Sequence, residues 1–444
     1  MKLRENTVAV FGLGRVGSTL AASLLKNGFV VFGVDKDDNK LKRIREGPSL
    51  YPDEPFIDDI LKKHCEEGKL LLTSDGIKAS KASRYKVLTV PIPLKARLPS
   101  FTDFKEALTE IAKGTKRGDV IIVESSVPPG TSRYVALPIL ETFSGLSGEK
   151  DFYLVYSPER LFEGRALKDL EENYPKVVAG LGPKSLREGM DFYSKIAKKG
   201  VLTLSSLEAA EVEKLVEGIY RDVNIALANE IALACESLGV DFWEVRRAAN
   251  SQPFCHLHLP GTGVGGSCIP IYPYYFLSTV KGISLELIES SRKRNDEMPK
   301  TVALLFDEFI HLKNFRVEKV TILGLAFRGN VSDDRNSPTY DLIRELRSLG
   351  YKVRVHDPMV TKPSKRVKVY RSLKGALKGA QAVIIAVDHS AYLGLDERKL
   401  EELMGTRPVI FDARGILDRS SFDEERLRVI GVAPKVELEP IPID

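Results

Sequence analysis

A chain of 444 residues, 43% apolar and 29% charged, is ordinary globular material but too long for one hydrophobic core, so two or three domains are expected. Its net charge of +5 is modest and spread along the chain. No basic arm asks for nucleic acid, although a small polyanion such as a diphosphate would suit the balance. No apolar run is long enough to span a bilayer, and Met1 to Arg4 lead straight into a strand pattern with no leader ahead. A cytoplasmic location is therefore expected, without membrane or nucleic-acid partners. The four cysteines, Cys65, Cys235, Cys255 and Cys268, lack the framework spacing of a secreted scaffold and are expected to be reduced thiols.

Thr7 to Phe11 form a short apolar run suited to a buried parallel strand. The run ends in Gly12-Leu13-Gly14-Arg15-Val16-Gly17. Ser18 to Asn27 follow with helical spacing, and Gly28 closes the helix. A second strand, Phe29 to Val34, ends at Asp35. Further strands are expected at Val87–Val90, Val120–Glu124 and Phe152–Tyr156, making residues 1–198 an α/β domain of parallel strands. From about 206 to 238 apolar residues recur at helical spacing with no Pro between them, which predicts one helix of roughly 30 residues, long for a globular domain. It reads as the spine of a middle helical domain, residues 199–305, and such spines often carry a dimer contact. The third part, 306–444, repeats the opening layout. A strand runs into Gly324 to Gly329, a helix spans Pro338–Leu349, and Tyr351–Val355 ends near Asp357. Val383–Val387 and Val409–Asp412 add two more strands. It lacks one glycine of the fingerprint and reads as a second nucleotide-binding sheet. The fold class is therefore α/β, with two Rossmann-like doubly wound parallel sheets joined by a long helix and a helical middle domain. The Pro-rich tail from Pro434 to Asp444 is expected to be loosely held.

Gly12, Gly14 and Gly17 fit G-x-G-x-x-G between strand and helix. The first makes the tight turn, the second admits a pyrophosphate, and the third lets helix and strand pack closely. Free N–H groups at the helix start then face the phosphates. A carboxylate at Asp35 can accept both ribose hydroxyls and repels a 2′-phosphate, which favours NAD over NADP, while Lys36 beside it tempers that preference. Cys268 follows Gly263-Val264-Gly265-Gly266-Ser267. Glycines there let a ligand approach backbone and thiol together, and a thiolate can hold an aldehyde as a thiohemiacetal. Spacing alone favours a small buried apolar cysteine, which is usual for a free thiol. Lys214, among apolar neighbours of the long helix, can steady an oxyanion or simply face solvent. Cys255, His256 and His258 fit no standard zinc spacing, so no metal is expected.

These segments, in this order, resemble the UDP-glucose/GDP-mannose dehydrogenase family over almost the whole chain. Ser125-Ser126-Val127-Pro128-Pro129-Gly130-Thr131 looks like the family's loop beside the nicotinamide. Ser157-Pro158-Glu159-Arg160 resembles its substrate loop, with Glu163-Gly164 following. Lys214 falls at its helix lysine, and Gly265-Gly266-Ser267-Cys268 is similar to its nucleophile loop. Gly324 to Arg328 and Asp333 to Pro338 resemble its G-L-A-F-K and D-D-T-R-E-S-P segments. The resemblance implies that a UDP-sugar is oxidised at C6 in two NAD-dependent steps through a thioester on Cys268. Lys214 would stabilise oxyanions, and Glu159 would handle protons or water with Thr131 ordering that water. Gly12, Gly14, Val16, Gly17, Asp35, Lys36, Ser126, Thr131, Glu163 and Arg335 would serve the cofactor. Glu159, Arg160, Lys214, Asn224, Gly265, Arg328 and Arg414 would serve the sugar nucleotide. A homodimer is implied as well.

Arg160 in place of an aromatic residue, the run Arg221 to Glu230, and the pair Asp388-His389 most resemble members acting on UDP-N-acetylmannosamine, with UDP-N-acetylglucosamine and UDP-glucose as alternatives. Four positions depart from the family pattern. Gly218 stands where Asn is usual, Tyr272 where Asp is usual, Phe254 where many acetamido-sugar members carry Arg, and Arg328 where Lys is usual. The first two leave open release of an aldehyde after two electrons, or a binder that does no chemistry.

Overall fold

The computed structural model describes residues 2–432 except 48, 52 and 55. The expectation about the Pro434–Asp444 tail lies outside the described residues. The chain forms two compact units, one of Met1–Glu217 with Tyr274–Ile283, the other of Gly218–Pro273 with Ser284–Asp444. Residues expected as a separate middle domain are thus divided between them.

The strands, in chain order, are β1 Thr7–Phe11, β2 Val30–Val34, β3 Leu70–Thr73, β4 Tyr85–Leu88, β5 Leu94–Lys95, β6 Leu98–Pro99, β7 Val120–Val123, β8 Tyr153–Tyr156, β9 Lys176–Gly180, β10 Val201–Thr203, β11 Lys319–Leu323, β12 Lys352–His356, β13 Val369–Tyr370, β14 Ala382–Ile385, β15 Val409–Asp412 and β16 Leu427–Val429.

In the first unit eight strands form one sheet in the order β10-β9-β8-β7-β4-β1-β2-β3. The order reverses at β1, whose neighbours are β2 and β4 in parallel register. That reversal opens the crevice where doubly wound sheets take their ligands. Every residue of β1, β4 and β7 is buried, which is why β1 and β7 read as apolar runs rather than alternating ones, while Lys86 of β4 is buried against Asp119. The helix Arg15–Lys26 packs Leu20, Ala21, Leu24 and Leu25 against them. The sheet is not wholly parallel as expected, because β9 runs antiparallel to β8. The stretch between those strands holds two short helical turns, Ala166–Lys168 and Asp169–Asn173. With no crossover helix to carry the chain back over the sheet, it returns in the opposite sense. The sheet also continues past residue 198, since β10 pairs with β9 at its edge.

The second unit carries six strands in the order β13-β12-β11-β14-β15-β16, every neighbouring pair parallel. Its core is built from Val320, Ile322, Ile384 and Phe411 on the sheet and from Val302, Phe306 and Leu342 on helices. The helix expected over 206–238 spans Leu207–Ser237, 31 residues. A second long helix, Glu286–Leu312, has Pro299 inside it and contains the expected 305/306 boundary. Among the described residues no helix is long and apolar enough to cross a membrane.

Candidate active site

The glycine turn meets the demands of a dinucleotide cradle. Gly12 has φ +94, a left-handed conformation that other residues adopt at a cost. A Cβ on Gly17 would lie 1.9 Å from the Gly12 carbonyl oxygen and 2.7 Å from Thr89 Oγ1, whereas one on Gly14 would meet nothing within 4 Å. The helix start is thus pressed onto the turn while the outer face of Gly14 stays open to a phosphate. No side chain caps that helix, so its first amides, Val16 among them, keep the polarity that attracts anions. Thr89, which the sequence reading passed over, fixes the turn by donating its hydroxyl to Gly12 O at 2.6 Å. Asp35 follows β2, accepts the Leu13 amide at 2.9 Å and pairs with Lys40 at 2.6 Å. Lys36 turns instead to Asp103, at 2.6 Å on the surface. Arg15 pairs with Asp53, Glu54 and Glu163 at 3.0, 2.9 and 3.3 Å, which places Glu163 beside the glycine helix. Open backbone, uncapped amides and a carboxylate at the second strand's end fit NAD.

Beyond the same sheet, Thr131 is buried and donates its hydroxyl to Pro128 O at 2.6 Å. Its neighbours are held from beneath, since Glu211, fully buried, accepts the amides of Gly130 and Ser132 at 2.5 and 2.8 Å. Ser126 lies half-buried at the start of that loop. Glu159 is buried and ion-paired with Lys176. The Lys176 ammonium also reaches Glu124 at 2.9 Å and Pro158 O at 3.2 Å. Burial pulls that ammonium below the usual lysine range, Glu124 opposes the pull, and Lys214 adds to it. Lys214 therefore stands within electrostatic reach of the Glu159–Lys176 pair, 3.9 Å from Glu217. Arg160 lies over the Tyr174 ring at 5.3 Å and faces Glu213 and Glu217 at 3.7 and 3.5 Å. The structure thus brings Glu159, Arg160 and Lys214 into one polar cluster of the first unit and adds Glu124 and Lys176, while Thr131 sits on the loop that Glu211 holds from the same helix as Lys214. A lysine opening the apolar run Lys176-Val177-Val178 was the available signal; its two acidic partners are remote in sequence.

In the second unit Cys268 is exposed, its Sγ 3.6 Å from Ser267 Oγ. The loop before it is made by glycines that nothing larger could replace. Gly266 has φ +93, and a Cβ on Gly265 would come within 2.8 Å of both Asn336 O and Phe327 Cβ. The Gly266 amide donates to Arg335 O at 2.8 Å, and Asn336 returns its side-chain amide to Gly266 O at 3.1 Å. The D-D-R-N-S-P segment therefore braces the thiol loop. Arg335 pairs with Asp333 at 2.9 Å. Arg328 leans on the Phe327 ring at 5.9 Å. Arg414 donates to Pro260 O at 3.0 Å and to Asp388 at 3.2 Å. Asn224 donates to Tyr220 O at 2.7 Å one helical turn back. Among the described residues no group of three His, Cys, Asp or Glu side chains is arranged for a metal. His256 and His258 pack edge to face at 5.2 Å. Phe254 is 97% exposed.

The dinucleotide cradle at the switch point of the first unit's doubly wound sheet defines a class, the NAD-linked oxidoreductases, and the second unit carries an exposed thiol of the kind that does covalent chemistry. Residues 6–197 match the UDP-glucose/GDP-mannose dehydrogenase family, NAD binding domain; 208–297 its central domain; 321–419 its UDP binding domain. The chain belongs to this family. The UDP-N-acetyl-D-mannosamine dehydrogenase of Pyrococcus horikoshii is 34% identical over 92% of this chain and 96% of its own length. That of Methanocaldococcus jannaschii is 32% identical over 95% of each. The solved structure of the Pyrococcus horikoshii enzyme superposes with TM-score 0.88 at 32% identity, covering 96% of this chain and 99% of that one. The UDP-N-acetyl-mannosamine dehydrogenase Cap5O of Staphylococcus aureus gives 0.85 at 30%, covering 96% and 99%. NAD is the cofactor, and the reaction is dehydrogenation of a CH–OH group of a UDP-sugar.

Proposed function

We propose that this enzyme oxidises C6 of UDP-N-acetylmannosamine to the carboxylate in four electrons, with Cys268 as covalent nucleophile. The observation that carries the reading is the exposed thiol, presented at the end of a loop whose glycines pack against Asn336 and Phe327 where a larger residue would clash. The names of the relatives support the acetamido sugar.

Bound NAD supplies the acceptor for each of two hydrides. Glu159 takes the proton of the C6 hydroxyl, directly or through water, as a hydride leaves C6 to give the aldehyde. The Cys268 thiolate then adds to the aldehyde carbon, forming a C–S bond and an alkoxide that the Lys214 ammonium stabilises. Loss of the second hydride from that carbon leaves a thioester. Glu159, having passed its first proton to solvent, takes one proton of a water held by Thr131 as that water attacks the thioester; the C–S bond then breaks to return the thiolate, and the acid formed loses its remaining proton to solvent as the carboxylate. Gly12, Gly14, Gly17, Asp35, Ser126 and Glu163 would hold the cofactor. Arg160, Asn224, Gly265, Arg328 and Arg414 would serve the sugar nucleotide, the positive groups of the three arginines suiting phosphate and sugar oxygens. Lys36 and Arg335, paired with Asp103 and Asp333, would act at the cofactor's margin.

Free cysteines throughout the described residues support a reducing cytoplasm. Val216, Tyr220 and Leu227 are each about half exposed along one face of the helix Leu207–Ser237, which supports a homodimer.

The test is NADH formed per sugar consumed, with mass spectrometry of the product over a panel of UDP-sugars. Two NADH per sugar and a uronate from UDP-N-acetylmannosamine are expected, and Cys268→Ser should stop at or before the aldehyde. One NADH per sugar would select the two-electron reading that Gly218 and Tyr272 motivate. UDP-sugar binding without any NADH would select the non-catalytic one.

A further inference from the structure

The Glu159 carboxylate is buried, and a buried carboxylate takes up a proton unless a cation and hydrogen bonds hold its charge. Its ion-pair partner is Lys176, a residue to which the reaction scheme above gives no step. Lys176 opens β9, its side chain 5% exposed. The charged and titratable groups around its ammonium come from four elements: Glu124 after β7 at 2.9 Å, Glu159 after β8, the Tyr193 ring of the helix Pro183–Tyr193 at 4.9 Å, and Glu213 and Lys214 on the helix Leu207–Ser237. Tyr193 donates its hydroxyl to Glu124 at 2.5 Å, so Glu124 has two donors.

Resting on the reading of Glu159 as the proton-handling group, we infer that Lys176 is its positioning residue, holding the carboxylate ionised and aimed while Lys214 attends to the substrate's oxygen. The charges support this division. Glu124 and Glu159 set two carboxylates against Lys176, Lys214 adds a second cation nearby, and Glu213 is answered by Arg160 at 3.7 Å. When Lys214 turns to a substrate alkoxide, Glu159 keeps a counter-ion that is out of reach of solvent and unable to wander. A lysine suits the post because its compact ammonium can touch two carboxylates and a carbonyl at once. The Pro158 carbonyl contact at 3.2 Å ties the same ammonium to the backbone just before Glu159, fixing the loop as well as the charge.

The test reads the Glu159 carboxyl directly in ligand-free full-length protein. Glutamate labelled with 13C at the carboxyl carbon is titrated by NMR, and the Glu159 resonance is assigned by its absence in Glu159→Gln. Lys176→Met is expected to raise the Glu159 midpoint by about one pH unit or more, about a tenfold fall in the ratio of ionised to protonated carboxyl at fixed pH, and Lys176→Arg should restore most of it. The acid limb of the kcat profile should move with the midpoint, while KM for the UDP-sugar changes less. Glu124→Gln, which leaves the lysine undivided, should lower the midpoint and gives an answer even where Lys176→Met fails to fold. An unchanged midpoint in Lys176→Met or in Glu124→Gln would overturn the assignment. So would a shift as large in Lys176→Arg as in Lys176→Met, since a purely packing role ignores charge. Absence of NADH from every UDP-sugar with the titration behaving as expected would instead defeat the dehydrogenase scheme and leave the ion pair standing.

Discussion

The two residues that depart most from the family pattern fit each other. A Cβ on Gly218 would lie 2.4 Å from Cδ2 of Tyr272, and the Tyr272 ring is buried. The ring therefore fills the space that a side chain at 218 would take. The Tyr272 amide donates to Cys268 O at 3.0 Å, and Ile271 donates to the same oxygen at 2.9 Å. A ring locked over Gly218 thus anchors the turn that follows the thiol, where a polar pair would otherwise stand. Gly218→Asn alone should clash and cost about 1–3 kcal/mol, with a lower kcat. Tyr272→Asp alone should leave a hole and an unpaired acid, with a loss of similar size. The double variant should recover much of both losses, giving a coupling of about 1 kcal/mol or more in a double-mutant cycle by urea unfolding. Strict additivity of the two single losses would show that the positions do not work as one.

The first turns of the helix Leu207–Ser237 do two jobs at the scale of elements. Glu211 reaches under the 125–131 loop to the two amides flanking Thr131, and Lys214 follows on the next turn, beside the Glu159 pair. Burial raises the Glu211 carboxyl to about 7, against the hydrogen bonds from Ser132 and Gly130. The unfolded chain would release that proton near 4.5, so between these values the folded state binds the extra proton. Stability should therefore fall as pH rises from about 4.5 to about 7 and level off above, by an amount on the order of 3 kcal/mol. Urea unfolding of Glu211→Gln across that range should lose the slope, and a slope equal to wild type would place its origin elsewhere. The helix itself was legible in the sequence because Ala209, Val212, Leu215, Val216, Ile219 and Val223 recur at helical spacing with no Pro between them. So was the glycine turn, whose demands are met within a few consecutive residues. The helix Glu286–Leu312 was not, since its first turns are a charged run and Pro299 interrupts it. Nor were the burial of Glu211 and Lys176, because what makes a charged side chain tolerable inside is a partner far along the chain, at 130, 124 or 159. The positions of Glu159, Lys214 and Cys268 came from likeness to a family; local spacing alone would have left them a surface acid, a solvated lysine and a small core thiol.

The molecule carries one architectural idea twice, with different ends. Both sheets reverse order at a central strand, β1 or β11, and both place an aspartate after the next strand, Asp35 or Asp357, that accepts the amide just past the first glycine, from Leu13 at 2.9 Å or Leu325 at 2.6 Å. The second turn keeps Gly324 at φ +108 and Gly329, but its middle glycine is Ala326. Asp357 also accepts from Ala326, Met359 and Val360 at 2.9, 2.8 and 2.8 Å and from His389 at 3.1 Å. A carboxylate so fully engaged has no lone pair left for a ribose, whereas Asp35 receives Leu13, Asp37 and a lysine that a ligand can displace. Burial pushes Asp357 up, yet the His389 contact and the turn amides outweigh it and bring the carboxyl down to about 2. Its contribution to stability is therefore fully present above about 4 and is lost as pH falls through about 2. Asp35→Ala should weaken NAD binding by tenfold or more, about 1.5–3 kcal/mol for hydrogen bonds to a charged group, with little change in the urea midpoint. Asp357→Asn should leave NAD affinity alone, lower the urea midpoint at neutral pH, and remove part of the acid-range loss. Calorimetry with NAD beside urea titrations at pH 7 and pH 3 separates the two, and an Asp357→Asn variant that lost NAD affinity while keeping its stability would mean that the second sheet, not the first alone, reads the cofactor.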